Sequence, residues 1–170
     1  RGCARFAGNA HLDLRYRIIS EFHYAAQVGV TFWIDAEELN GQIIDFPIDG
    51  TKNGLSIALR DGMLLVGGRS CSRDAWQSAR YPFPGTGKWH HVAVQIDYHR
   101  NRIQAWANGE QAGDVAEVQF ALDYYKRGIP SESDLVGRGH NRQDAFFGRL
   151  DDLRFFCRAL TAEEIRRVDE

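Results

Sequence analysis

Two adjacent carboxylates, Asp151 and Asp152, lie within Phe147-Gly148-Arg149-Leu150-Asp151-Asp152-Leu153-Arg154-Phe155-Phe156. Oxygen donors of this kind suit a calcium ion, which takes its ligands freely from carboxylates and backbone carbonyls. The same acids can instead cap turns or pair with Arg149 or Arg154. Apolar alternation also breaks here, because Leu150 is followed by Leu153, Phe155 and Cys157 on the opposite parity. One extra residue in the strand, a β-bulge, would produce that switch. A second chemistry is offered by flat rings outside the apparent core. Trp76, Tyr81, Tyr124 and Tyr125 could each cover the apolar face of a sugar ring. The loop Gly137-Arg138-Gly139-His140-Asn141-Arg142-Gln143-Asp144 supplies side chains that reach hydroxyls, with His140, Asn141 and Arg142 as the candidates.

His90 and His91 invite a metal reading, since imidazole is a common transition-metal ligand. On a strand, however, neighbouring side chains point to opposite faces, so the pair cannot serve one ion. They read as structural. The cysteines Cys3, Cys71 and Cys157 have no Cys-x-x-Cys spacing, which disfavours zinc. Their odd number leaves at least one free thiol, and all three can act as small buried hydrophobes.

The elements that would position these residues are strands. Val28, Val30, Phe32 and Ile34 share a face; so do Leu55, Ile57 and Leu59, and Val92, Val94 and Ile96. His11 to Tyr16 alternates, and Val115 to Leu122 reads as a further strand. Asp61-Gly62 joins Leu55–Leu59 to Met63-Leu64-Leu65-Val66. Asn108-Gly109, after Arg102–Ala107, is the strongest two-residue hairpin signal in the chain. Short strands at even spacing predict an all-β antiparallel sandwich. Helix is predicted at Thr161–Val168, where Thr161 and Glu164 have capping-box spacing, and in a short turn at Glu37–Leu39. Loops are predicted over 40–53, 67–87 and 123–145, and loops on a rigid scaffold are where binding residues concentrate.

At 170 residues the chain suits one domain over residues 1–170. Hydrophobic residues make up 44% and charged residues 26%, the balance of an ordinary globular domain. A net charge of -2 gives no electrostatic reason to expect nucleic acid or an anionic membrane surface as partner. No stretch approaches the roughly 20 apolar residues of a membrane helix, so membrane insertion is not expected. The chain has neither a starting Met nor a signal peptide, which reads as an excised module or mature product.

In order along the chain, Gly87-Lys88-Trp89-His90-His91-Val92-Ala93-Val94, Trp106-Ala107-Asn108-Gly109, Phe147–Phe156 and Leu160-Thr161-Ala162-Glu163-Glu164-Ile165 resemble the laminin-G-like branch of the concanavalin-A-like lectin/glucanase superfamily. The resemblance runs from Phe6 to Val168, loosely over the first forty residues. It implies a jelly-roll sandwich with a short C-terminal helix, Trp89 in the core, one histidine bonded to a backbone carbonyl, and Trp33 and Trp106 used for packing. It also implies a structural calcium held by Gly8, Asn9, Asp13 and Asp151, although Ala10 and His11 stand where the family usually has acids. First and last strands become neighbours, which would bring Cys3 and Cys157 close enough for a disulfide.

The implied function is a non-catalytic module whose partner is a glycan or glycoconjugate, in an extracellular or cell-surface setting, as an accessory domain of a carbohydrate-active or surface protein. The alternative is a protein-recognition or adhesion module of laminin-G type; a purely structural spacer is a third. Glycoside hydrolases of this fold need two carboxylates roughly 5–5.5 Å apart for retaining chemistry, and the family's Glu-x-Asp-x-x-Glu run is missing here. Polysaccharide lyases are echoed only by Tyr124-Tyr125-Lys126-Arg127-Gly128. No hydrolase or lyase activity is therefore expected.

Overall fold

A computed structural model describes residues 2–14, 25–46, 54–69, 76–120, 133–140 and 144–167. The strands are β1 (Ala4–Ala7), β2 (Leu12–Asp13), β3 (Gln27–Ala36), β4 (Gly41–Phe46), β5 (Gly54–Arg60), β6 (Met63–Arg69), β7 (Gln77–Pro82), β8 (His90–Asp97), β9 (Arg102–Ala107), β10 (Glu110–Gln111), β11 (Ala116–Glu117), β12 (Leu135–Val136) and β13 (Phe147–Phe156), followed by helix α1 (Ala162–Arg166). They form two antiparallel sheets. One runs β1-β13-β3-β8-β9-β10 with β11 also on β9, and the other runs β2-β12-β4-β5-β6-β7. No helix among the described residues is long and apolar enough to cross a membrane.

The three predicted apolar rows form the core. Val28, Val30, Phe32, Ile34, Leu55, Ile57, Leu59, Val92, Val94 and Ile96 are all buried between the sheets. Removing such side chains from water, at about 1.5–3 kcal/mol each, is what holds the layers together. Both hairpin signals hold. Asp61 and Gly62 have φ of 53° and 76°, and Asn108 and Gly109 have 53° and 80°, the paired positive values that match a tight turn to the twist of its strands.

The bulge expected at the acid pair is present. Register slips between Asp151 and Arg154, and Asp152 takes φ 51°. Leu150 enters the core before the slip, and Leu153 and Phe155 pack against it afterwards.

Several predicted elements differ. The loop predicted over 40–53 contains β4, whose alternation is hidden because register also shifts between Gln42 and Ile44, so that Ile43 and Ile44 are both buried. The loop predicted over 67–87 contains the end of β6 and all of β7. Its polar residues are tolerated because β7 is an edge strand. Within 123–145 the pair Leu135–Val136 forms β12. The described part of Val115–Leu122 contributes only β11, Glu37–Leu39 makes bends and no helix, and the described part of His11–Tyr16 contributes only β2.

The C-terminal helix is built as its spacing predicts. Thr161 Oγ1 accepts from the Glu164 amide at 3.2 Å, and Glu164 Oε2 accepts from the Thr161 amide at 2.8 Å. Arg158 clamps the same carboxylate, and this hydrogen bonding holds the Glu164 pKa down to about 2. Leu160 and Ile165 then lie over Ala93, with Trp106 and Phe156 alongside, on the outer face of the larger sheet.

Candidate functional site

On the smaller sheet, strand alternation sends Leu55, Ile57, Leu59, Leu64 and Val66 inward, so Ser56, Ala58, Arg60, Leu65 and Gly67 have outward parity. Register then aligns one row across four strands: Asp45 opposite Ser56, Ser56 opposite Gly67, and Gly67 opposite Ser78. Paired residues share a face, so these four positions line the outer surface together.

Trp76 precedes β7 and lays its indole over this row. A Cβ built on Gly67 would stand 3.5 Å from Trp76 Cε3 and 3.7 Å from Ser56 Cβ, so the glycine makes room for the ring. Trp76 is 42% exposed. At the other flank Asp45 Oδ2 accepts from the His140 amide at 2.9 Å and lies 3.0 Å from His140 Nδ1. Between them Gln42 Nε2 donates to Ser56 Oγ at 2.7 Å and to the Ile44 carbonyl at 2.6 Å. Asp45 and Gly67 are two strand spacings apart, about 10 Å. The result is a shallow floor of small residues with an aromatic ring on one side and a carboxylate–imidazole pair on the other. Such a surface can stack a ring's apolar face and hydrogen-bond its polar edge.

The sequence singled out Trp76 and His140, and the structure brings both to this face. It removes Tyr81, which is 2% exposed and points inward from β7, its hydroxyl donating to the Ile103 carbonyl at 2.6 Å. Burial raises that phenol's pKa. Tyr81 is a core residue, misread because its neighbours are polar. Tyr124, Tyr125, Asn141 and Arg142 lie outside the described residues. Asp45, Gln42, Ser56 and Gly67 were missed. The signals available were Gly41-Gln42-Ile43-Ile44-Asp45-Phe46, a short apolar run bounded by Asn40 and Pro47, and Gly67-Gly68 inside a strand, a mark of close approach.

The calcium set does not converge. Gly8 and Asn9 follow the end of β1, where Ala7 pairs with Phe147, and both line a cleft with Asp144 and Glu38. Asp151 lies about 15 Å away along β13, in a separate small pocket with Ala4, Leu12 and Asp152. Asp13 is exposed on β2 in the other sheet. Asp151 Oδ1 accepts from the Asp152 amide at 2.8 Å, while Asp152 receives Arg154 Nε at 2.8 Å. The acids thus cap a turn and pair with arginine. Among the described residues no three His, Cys, Asp or Glu side chains are grouped to hold a metal. Gly8 and Asn9 therefore do not share one site with Asp151.

The disulfide expectation is corrected by register. β1 does pair with β13, but Ala4 opposes Leu150, which sets Cys3 beside Asp151, on the order of 17 Å from Cys157. Both cysteines are exposed and not disulfide-bonded, so they are not buried hydrophobes either. Cys71 lies outside the described residues.

The histidine pair behaves structurally. His90 Nδ1 lies 3.1 Å from Asn108 Nδ2 and its ring meets Phe83 edge-on at 5.5 Å. His91 packs on Trp33 at 5.4 Å. Desolvation lowers both pKa values. Trp33 and Trp106 are half-buried packing residues on the outer face of the larger sheet. Trp89 is a correction: it is partly exposed and sits under the Arg149 guanidinium, 5.3 Å from its ring centre, with Arg149 Nε bonded to Asp35 at 3.1 Å.

Two antiparallel sheets packed in jelly-roll order define a β-sandwich. Residues 7–166 match the family described as the concanavalin A-like lectin/glucanases superfamily, and the chain belongs to it. Mouse pentraxin-related protein PTX3 is 24% identical over 143 residues, covering 79% of this chain and 36% of that protein, so the chain spans about a third of this curated relative. The NanB sialidase of Streptococcus pneumoniae superposes with a TM-score of 0.75 at 16% identity, over 99% of this chain and 27% of that one. The CBM40 of the Ruminococcus gnavus IT-sialidase, solved bound to α2,3-sialyllactose, gives 0.70 at 14% identity over 99% and 96%.

Proposed function

We propose that this domain is a non-catalytic glycan-binding module whose site is the outer face of β4, β5 and β6. The observation that carries the reading is the exposed Trp76 indole seated over Gly67, in register with Ser56 and the Asp45–His140 pair. Trp76 supplies the stacking platform, Ser56 at the floor donates to a sugar hydroxyl, Asp45 at the far edge accepts from one, and Asp45 orients His140. The CBM40 bound to sialyllactose supports the ligand class. So does the distribution of exposed large hydrophobics among the described residues: Leu12, Leu39, Trp76 and Val115 sit on different elements, whereas a protein-docking surface would gather them into one patch of several hundred Å².

A binding role also accords with the acids. Asp151 and Asp152 are occupied by a turn amide and an arginine, whereas glycoside hydrolysis needs a pair of carboxyl groups turned on the scissile bond. An extracellular or cell-surface accessory role follows from this reading. The test is a glycan-array screen with the native domain and with Trp76→Ala and Asp45→Ala. Specific binding lost in both variants supports the assignment. Glycan binding unaffected by either would move the site elsewhere, and binding only to proteins would replace the reading with adhesion.

A further inference from the structure

A second recess lies at one end of the outer face, beyond the buried Ala58 and Gln42. Arg60, four residues along β5 from Ser56 and about 13 Å away, points outward at the end of the strand. Its Nη1 donates to the Leu59 carbonyl at 2.9 Å, and its Nη2 donates to Asp144 Oδ2 at 3.1 Å and to Gln42 Oε1 at 3.3 Å. Gln42 therefore binds Ser56 with its amide nitrogen and Arg60 with its amide oxygen, linking the two places through one side chain.

Beyond Arg60 lies a cleft of about 340 Å³ that includes Asn9, Glu38, Asn40 and Phe147. It exists because the 144–146 segment closes against β4. The Gln42 amide donates to the Asp144 carbonyl at 2.8 Å, and at Gly41 a Cβ would stand 2.7 Å from the Ala145 carbonyl oxygen. Phe147 is partly exposed, with a ring edge 3.3 Å from where a Gly8 Cβ would lie. Asn9, Glu38 and Asn40 are exposed around it, and Asn40 Oδ1 is taken by the Asp61 amide at 3.0 Å, which turns its NH₂ outward.

We infer that this cleft is a further saccharide subsite, taking a neutral, hydroxyl-rich sugar residue of the same chain whose other end stacks on Trp76. The inference rests on the glycan reading above. Phe147 provides a second apolar platform, and the amides of Asn9 and Asn40 with the Glu38 carboxylate provide donors and acceptors for hydroxyls. Charge decides the class. Arg60 and Asp144 cancel each other, and Glu38 leaves the cleft negative, which opposes a carboxylate or sulfate on the ligand. The span from Gly67 to the cleft exceeds a disaccharide, so the ligand is an oligosaccharide.

The test is calorimetric titration with malto-, cello-, xylo- and arabino-oligosaccharides from dimer to hexamer, using the native domain, Asn9→Ala, Glu38→Ala, Phe147→Leu and Trp76→Ala. In at least one series Kd should fall about tenfold between the short and long members. That gain should vanish in Asn9→Ala and Glu38→Ala, whose side chains are exposed and whose melting temperatures should match the native protein. Phe147→Leu should do the same, with its fold checked by melting. Oligogalacturonates should show no gain with length. Affinity flat with length, or a gain kept in all three cleft variants, overturns this inference while a Trp76→Ala loss leaves the glycan reading standing. Absence of binding in every series overturns it too, and the array screen then decides the glycan reading separately.

Discussion

The two sheets present outer faces built by the same alternation and used in opposite ways. On the larger sheet the face is closed. Leu160 sits where a Cβ on Gly29 would stand 2.5 Å from it, and Ile165, Trp106 and Phe156 complete a satellite core over Ala93. On the smaller sheet the row Asp45, Ser56, Gly67 and Ser78 carries only small or polar side chains, and the indole that lies over it keeps much of its surface open. In both places a glycine admits a large side chain over a strand. On one face the chain's own C-terminus fills the space, and on the other a single ring covers part of it. The lesson is that an aromatic residue's role here depends on what covers it more than on its type.

Trp106→Ala tests the closed face and should have the largest effect, about 3 kcal/mol lost in denaturant unfolding, the lower end for removing a buried indole because the ring is only partly covered. Glycan affinity of the folded variant should not change. Trp76→Ala should give the reverse pattern: binding weaker by about 1–3 kcal/mol, with unfolding free energy within about 0.5 kcal/mol of native. Equal stability losses in the two variants would erase the contrast between the faces.

Trp89→Ala probes the margin of the closed face. Its ring lies beneath Arg149 and outside the core, so the expected cost is about 1 kcal/mol, mainly the cation–π contact and some packing. A loss of the size expected for Trp106 would show that Trp89 works as core after all.

Acidification should weaken the larger sheet first, through His90 on its inner face and His91 on its outer face. His90 and His91 have pKa values lowered by burial, so the unfolded chain takes up protons on these rings before the folded one does. Stability should hold above about pH 6.5, their ordinary value, and fall as pH drops below it. Glu164, held down to about 2 by Arg158 and the cap, contributes stability above its ordinary pKa of 4.5 that is lost as pH falls toward 2. Melting temperatures from neutral pH down to acid should trace these two declines. Arg158→Ala should flatten only the lower one.

The core was legible because each of its rows obeys period two without interruption. β4 was not, since its bulge buries Ile43 and Ile44 side by side and breaks the alternation that marks a strand. The bulge in β13 was legible because the apolar pattern resumes clearly on the other parity. Trp76 and His140 could be chosen from composition, but Asp45 and Gly67 acquire meaning only from register, which depends on pairings between strands distant in sequence. Tyr81 shows the converse limit. Its polar neighbours on an edge strand disguise an inward residue whose hydroxyl is satisfied by a carbonyl of the opposite sheet. The named calcium donors lie apart for the same reason as the two cysteines: neighbouring strands were foreseen, but not how far each residue lies along them.

Among the described residues the edges of both sheets are short or awkward for another chain to join. β2, β10 and β11 are two residues each, β1 is four residues with Arg5 exposed, and the longer β7 carries Arg80 and ends in Pro82. Unpaired amides and carbonyls along an edge are a template for strand addition, and brevity, charge and proline each spoil it. Copies of this domain set side by side, as on a crowded surface or in tandem along one polypeptide, would therefore find little backbone to zip together.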